Sequence, residues 1–452
     1  MKKAIFVLVL VLSATSLFSQ ENKEDIRKTG YNIGPLPAIA YDADKGFQVG
    51  AVLQLFNYGD GSNYPNYDSK TYLEYSFFTK GSHLIQLRYD NKFLIPGVRW
   101  SSTARVILDK AYDFYGFNGY QTYYDSESVI AGQDKNSSNY IFTPFYKYQR
   151  NEIRIKSDFQ GRIAGDLRWV GGLFFDYYKI GTIDYDNVNK GKEHAKQFPK
   201  DLQTLFDAYK LSGVIPENEK DGGYAGGLRA GLEYDSRDKE GAPAKGIWAS
   251  ACVTAALPGL SKVQYYRYSF TFRHYVPIVK NDVLTFAYRL NYEGTFGDKA
   301  PFYALPYITN MGEKCDFEGM GGYQTLRGIM RDRIVGLDMA TYNMEFRWRF
   351  VKFHLWKQNM AFALNFFSDG SMVVRGLDLS PLKRMGYFPV KIYGQDNDLP
   401  HITFGAGLRF IMNENFIVAA EYGMPVTHLM KNSPLYNQDG TGAFYLNVGY
   451  LF

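Results

Sequence analysis

The sequence predicts an all-β protein: a sixteen-stranded antiparallel transmembrane β-barrel of the outer-membrane kind. Three observations carry this. Strand-length segments alternate between polar and aromatic residues with period two. Short and long connections take turns along much of the chain. Aromatic residues make up 17% of the 452, with 38 Tyr and 34 Phe beside 44 Gly, a usage suited to tyrosine belts at two membrane interfaces.

The N-terminus reads as an export signal. Lys2 and Lys3 precede an apolar run from Ala4 to Leu12, followed by small and polar residues to Ser19. Residues 1–19 are expected to be a secretory signal peptide, because the run is too short to span a bilayer as a helix. No later stretch offers the roughly 18 uninterrupted apolar residues of a transmembrane helix. Residues 20–34 form a short polar periplasmic tail, and residues 35–452 the barrel. Mean hydropathy is slightly polar, as expected when half of each strand faces water.

Alternation is cleanest in the second half. Over Tyr266–Tyr275 the odd positions include Arg267, Ser269, Thr271 and Arg273, against Tyr266, Tyr268, Phe270 and Phe272. Leu284–Glu293 and Ala340–Phe350 repeat the pattern, with Arg289, Asn291, Glu293, Asn343, Glu345, Arg347 and Arg349 on the polar side. A soluble sandwich also alternates, but the full charges on strand after strand and the length of the strands favour a barrel. Strands are placed at 35–42, 45–57, 70–80, 82–95, 98–113, 140–158, 164–180, 221–236, 245–257, 264–278, 282–296, 334–351, 358–374, 400–413, 415–424 and 442–452. Long connections fall near 114–139, 181–220, 297–333, 375–399 and 425–441, with a short helix expected between Lys200 and Lys210.

Several function classes lack support. A net charge of +5, or +3 without Lys2 and Lys3, is too weak for a nucleic-acid partner. Cys252 and Cys315 read as unpaired, and no spacing suggests a metal site or a cofactor. The six histidines are scattered without an evident catalytic partner, so no enzyme is expected.

Three stretches carry mechanism. The last residues place Phe444, Leu446, Val448, Tyr450 and Phe452 on one face, an ending that resembles the signal by which barrels are recognised for outer-membrane insertion. Pro35 and Pro37 lack the donor a ladder needs, and Gly449 lies on the last strand. A weak seam between first and last strands follows, although the prolines also suit a strand's beginning. Finally, a glycine-rich connection from Gly319 to Gly336 holds Leu326-Arg327-Gly328, ahead of strands whose polar faces carry Glu345 and Asp369.

Together these features resemble the BamA/TamA outer-membrane assembly superfamily, also called the bacterial surface-antigen family, from Pro35 to Phe452. The motifs are Gly34 to Tyr41 with Gly46; Gly227 to Asp238 with Pro243 to Gly246; Leu326-Arg327-Gly328; and Gly449. The resemblance implies a lumen-inserted sixth extracellular loop, with Arg327 paired to Glu345 and Asp369. A guanidinium suits that role because it grips carboxylates bidentately. A solvated Arg327, with the carboxylates paired to Arg347 or Arg349, is the other reading. Ile329 departs from the aromatic usual after Arg-Gly, and the expected layout leaves no room for the family's POTRA modules. The implied function is insertion or translocation of proteins or lipids through a gated lumen and a lateral seam. Implied partners are outer-membrane lipid and lipopolysaccharide, the assembly machinery that inserts the barrel itself, and client proteins or separately encoded periplasmic subunits. A passive pore or structural barrel that has lost this activity is the alternative.

Overall fold

The computed structural model describes residues 29–42, 46–62, 67–79, 81–126, 143–189, 191, 197–198, 203–239, 242–280, 282–312, 317–355, 358–385, 391–412, 416–448 and 452. The export signal, most of the expected tail, Cys315, Gly449 and Tyr450 lie outside these residues. Sixteen antiparallel strands close into one barrel: β1 Tyr31–Asp42, β2 Gly46–Asn57, β3 Ser69–Phe78, β4 His83–Ile95, β5 Val98–Asp113, β6 Lys147–Ala164, β7 Leu167–Gly181, β8 Gly222–Asp235, β9 Gly246–Ala256, β10 Tyr265–Val279, β11 Leu284–Phe296, β12 Asp338–Leu355, β13 Gln358–Arg375, β14 His401–Met412, β15 Phe416–Pro425 and β16 Ala443–Val448. Each pairs with its sequence neighbour, and β16 returns to β1.

Every strand has a counterpart in the sequence reading, and the alternation explains why. On β12, Glu345, Asn343 and Arg347 are buried while Phe346 and Trp348 are 47% and 44% exposed. The apolar side thus faces outward, as lipid requires, and charge faces inward. Among the described residues no helix is long and apolar enough to cross a membrane.

Several boundaries differ from expectation. β1 begins at Tyr31 rather than residue 35, because Asn32, Ile33 and Gly34 pair with Phe56, Leu55 and Gln54 along the full length of β2. β6 runs to Ala164 and turns at Gly165, whose φ of 55° suits glycine. At its other end Thr143–Tyr146 form a 3-10 turn instead of strand. β12 starts at Asp338, not 334, because Ile334, Val335 and Leu337 pack into loop cores rather than the wall. The helix expected between Lys200 and Lys210 covers Leu205–Leu211, capped by reciprocal bonds between Thr204 and Asp207.

The long connections share an apolar core of their own. Phe114 and Phe117 of the β5–β6 connection, Phe206 and Tyr209 of the β7–β8 connection, and Phe302 of the β11–β12 connection meet edge to face at 5.3–6.5 Å. Aromatic pairs of this geometry stabilise beyond their buried area.

Candidate functional site

Two places stand out in the barrel. The first is an arginine held by three carboxylates; the second is the join between β1 and β16.

Arg327 is fully buried. Its Nε and Nη2 donate to the two carboxylate oxygens of Asp369 on β13, both at 2.9 Å, and its main-chain N–H adds a bond of 3.1 Å. Nη1 donates to Glu345 Oε1 on β12 at 2.5 Å and to Glu421 Oε1 on β15 at 3.3 Å. The guanidinium also lies 3.6 Å from the centre of the Phe367 ring. Arg409 bridges Glu345 and Glu421, and Arg347 donates to Glu345 at 2.8 Å. Arg327, Arg347 and Arg409 thus face Glu345, Asp369 and Glu421, three charges against three. Such balance is what a buried ionic cluster needs.

The flanking residues explain the local fold. Leu326 and Ile329 are fully buried in an apolar cluster with Ile308, Met320, Ile334, Met339 and Val373. An isoleucine therefore fills the place after Arg-Gly without a ring. Gly328 has φ of 95°, and a Cβ there would stand 2.4 Å from the main chain of Gly423. Conversely a Cβ on Gly423 would stand 2.5 Å from the Arg327 carbonyl oxygen. Two glycines let loop and wall touch backbone to backbone. The Tyr445 hydroxyl accepts from the Gly328 N–H at 3.1 Å, and Asn343 donates to the Thr325 carbonyl at 2.7 Å.

The join is different. β12 and β13 share seventeen registered pairs, and β1 and β2 share twelve. Among the described residues β1 and β16 share one registered pair, Tyr41 with Leu446. At the foot of β1 the Tyr58 N–H bonds the Gly30 carbonyl. Antiparallel ladders bond alternate residues to alternate neighbours. Even-numbered residues of β1 therefore bond β2, and the odd-numbered Pro35 and Pro37 turn their backbone toward β16.

Continued along the strands, the Tyr41–Leu446 register sets Phe452 beside Pro35. Phe452 is not there. It is 3% exposed and clusters with Tyr275 of β10 and Ala287 of β11, several strands away. Of the residues expected to share one outward face, Phe444 is exposed and Leu446 half-buried, while Phe452 is buried among inward-facing residues. Val448 ends β16 opposite Val418.

Comparison with known proteins decides the family. Residues 112–452 match the Omp85 superfamily domain. The chain belongs to the Omp85 superfamily. This membership and the closed sixteen-stranded barrel place it in the outer membrane of a Gram-negative bacterium, among non-enzymatic barrels. BamA from Haemophilus ducreyi lacking POTRA domains 1–3 is similar with a TM-score of 0.53 at 16% identity, over 93% of this chain and 70% of that one. CdiB from Escherichia coli gives 0.49 at 11% identity, over 95% and 66%. CdiB from Acinetobacter baumannii gives 0.45 at 12%, over 94% and 66%. At such identities the likeness is one of fold. No curated protein matches the sequence.

In this Omp85 barrel the sequence reading missed Glu421, Arg409 and Gly423. Parity was the available signal, since Ala419, Glu421 and Gly423 alternate with the outward Tyr422. It also left His401 without a partner. His401 lies between Asp439 at 2.5 Å and Asp398 at 3.1 Å, stacked 3.7 Å from Tyr120, which donates to Asp439. No nucleophile adjoins it in these bonds, and the cluster ties three connections together. His83 and His274 meet Tyr75 and Tyr288 at 3.1 and 3.2 Å. Cys252 is buried, its thiol against the Val253 carbonyl oxygen at 3.6 Å.

Proposed function

We propose that this Omp85 barrel inserts or translocates proteins, or lipids, across the outer membrane through a gated lumen and a seam that opens between β1 and β16. The observation that carries the proposal is the sparse pairing of β1 with β16 among the described residues, one registered pair, with Pro35 and Pro37 turned toward the join. An edge with few partners is the part of a sheet that another strand can extend.

In the same reading the connection between β11 and β12 is a lumen-inserted sixth extracellular loop. Arg327 holds it through Glu345 and Asp369, with Glu421 as a third acceptor. Leu326 anchors it from the apolar side, and Gly328 supplies the close approach. The role is structural: pinning fixes one side of the barrel while the other opens. Residues 1–19 serve as export signal, and the tail expected over 20–34 leads to the barrel, whose first strand takes over at Tyr31. Phe444, Leu446 and Val448 of β16, with Tyr450 and Phe452 after it in the sequence, are the signal that the assembly machinery reads during the protein's own insertion, and Gly449 is the last of the seam residues. Lipid and lipopolysaccharide surround the outward face.

A cross-seam lock tests this. Tyr41→Cys with Leu446→Cys, on a Cys252→Ser and Cys315→Ser background, tethers the registered pair. Oxidation is expected to stop client insertion in reconstituted membranes, and reduction to restore it. Full activity in the oxidised barrel would sink the seam. Depletion in the host with outer-membrane proteomics and lipid analysis separates transport from a passive barrel: a selective loss names the client class, an unchanged membrane favours the pore.

A further inference from the structure

One cavity inside the barrel is lined by more cations than acids. It measures about 30 Å³ and lies between the wall and the β11–β12 connection, with Thr254 of β9 and Thr309 of the connection among its lining residues. The strand register explains its charge. Thr254 pairs with Arg229 on β8 and with Arg267 on β10, so two arginines flank one threonine on a single row. Neighbouring strands lie about 4.8 Å apart, so the backbones of the two arginines stand roughly 10 Å apart with the threonine between them. Arg154 of β6 and Asp176 of β7 complete the charged lining, three arginines to one carboxylate.

The acids nearby are already engaged. Arg154 donates from Nε and Nη2 to the two oxygens of Asp176, at 2.8 and 3.0 Å. Asp158 stands 3.9 Å from Arg229 and 3.6 Å from Lys156, one carboxylate between two cations. Glu293 of β11 accepts from the Thr309 N–H and hydroxyl at 2.9 and 3.2 Å. Arg267 bonds carbonyl oxygens alone: its Nη1 donates to Ala304 at 2.7 Å and to Tyr307 at 3.2 Å. Among the described residues its Nε and Nη2 have no hydrogen-bond partner, although the residue is only 5% exposed. The Tyr178 hydroxyl, on a buried residue that lines the same cavity, has none either. A buried guanidinium answered by neutral oxygens alone is costly, and donors left over beside a cavity call for an acceptor. An anion meets both needs, where water meets only the second.

We propose that this cavity is a binding site for one small inorganic anion of halide size, held by Nε and Nη2 of Arg267, with Arg229 opposite and the Tyr178 hydroxyl as a neutral donor. Size sets the class. A cavity of about 30 Å³ is room for about two waters or one chloride, and too little for the four oxygens of a phosphate or sulfate. The same two arginines hold the connection, Arg229 through the Asn310 carbonyl at 2.6 Å and Arg267 through Ala304 and Tyr307. A bound anion therefore ties the connection to β8 and β10 from inside the lumen. The site is independent of whether the seam opens.

The test compares sodium chloride with sodium gluconate, at equal ionic strength, on the full-length barrel in detergent. Gluconate carries the same charge and is far too large for the cavity. Chloride at about tenfold its dissociation constant is expected to raise the unfolding midpoint by about 2 °C. In Arg267→Gln that difference is expected to vanish. The two salts are compared within one variant, so a lower midpoint in both does not blur the reading. Tyr178→Phe removes a hydroxyl that no protein group bonds, and is expected to weaken chloride about fivefold while the barrel folds as before. Crystals soaked in sodium bromide are expected to show an anomalous peak between Arg267 and Arg229. Equal midpoints in the two salts for the unaltered barrel, or a chloride effect as large in Arg267→Gln as in the parent, would overturn the proposal. A bromide peak without a chloride effect in solution marks an adventitious ion only and overturns it too. So does water at that place with no peak.

Discussion

The wall from β12 to β15 and the join of β1 with β16 solve opposite problems in one barrel. The first has long ladders and adds a fully buried arginine, three carboxylates and a glycine-to-glycine contact that fixes a loop against it. The second has, among the described residues, one registered pair, two prolines on the edge toward it and a final aromatic seated against Tyr275 and Ala287. In the reading proposed above, the first side resists opening and the second is where the barrel parts. Stability in a closed sheet is shared among ladders, so its weakest ladder sets where it parts.

The largest expected effect is at Arg327. A buried ion cluster adds little over an apolar core of equal volume, but removing one member strands the others. Arg327→Ala leaves Asp369 with neither of its bidentate donors and unbalances Glu345 and Glu421. The loss is expected at about 3–5 kcal/mol. It shows as a lower unfolding temperature on heat-modifiable gels and new protease cuts between residues 297 and 337. Arg327→Lys is expected to recover only part, since an ammonium cannot span three carboxylates as a planar fork does. An unchanged melting temperature in Arg327→Ala would mean that the contact holds nothing.

Gly328→Ala is next. The new Cβ meets the Gly423 main chain at 2.4 Å, and φ of 95° is strained for alanine. Backbone has to move, at a cost of about 3 kcal/mol, the upper end of ordinary substitutions. If Gly328→Ala melts like the parent, loop and wall are not in contact there.

A third effect sharpens the comparison through pH. Asp332, in the β11–β12 connection, is pushed up to about 7, first by burial, with Glu318 raising it and Arg331 and Arg150 lowering it. A carboxyl whose folded pKa is raised binds its proton more tightly when folded. Its contribution is therefore fully present below about pH 4, the unfolded value, and is lost as pH rises through about 7. A tenfold difference in proton affinity between the folded and unfolded chain is about 1.4 kcal/mol. The connection is expected to resist protease better at pH 5 than at pH 8, and Asp332→Asn to abolish the difference. Protection that does not fall between those values would contradict a buried neutral carboxyl. The described pair of the seam, Tyr41 with Leu446, carries no carboxyl, so its opening is expected to depend less on pH.

How much of this was legible beforehand follows from where each signal lies. A strand between lipid and water has to alternate, so β10, β11 and β12 stand out residue by residue. The boundaries failed where apolar side chains serve a second core: Ile334, Val335 and Leu337 look like wall and pack in the connections instead. Arg327, Glu345 and Asp369 were nameable because motif and parity agreed. Glu421 sits on β15, beyond the two strands that carry Glu345 and Asp369, and parity alone does not say how far a loop arginine reaches. His401 finds its acids in two separate connections, at Asp398 and Asp439, a pairing no local spacing encodes. Phe452 departs from the parity of β16, seated with Tyr275 and Ala287 instead, and no residue nearby announces it.

That departure gives the smallest and most discriminating prediction. Replacing Pro37 by Ala restores a donor toward the join, worth about 1 kcal/mol if a partner accepts it. It also loosens the unfolded chain by roughly 0.4–1 kcal/mol. Alone, then, Pro37→Ala is expected to leave thermal stability nearly unchanged. With Phe452→Ala the closing strand is no longer drawn toward Tyr275, and the added donor can be used. The double variant is therefore expected to be more stable than the sum of the singles, by a coupling of about 0.5 kcal/mol or more. Disulfide yield across the seam, measured in the Tyr41→Cys and Leu446→Cys background, should rise with it. Client insertion should fall, because a better closed seam opens less. Strict additivity, with unchanged crosslinking, would show that the prolines and the Phe452 seat act independently, and that the weak join is a matter of β1 alone.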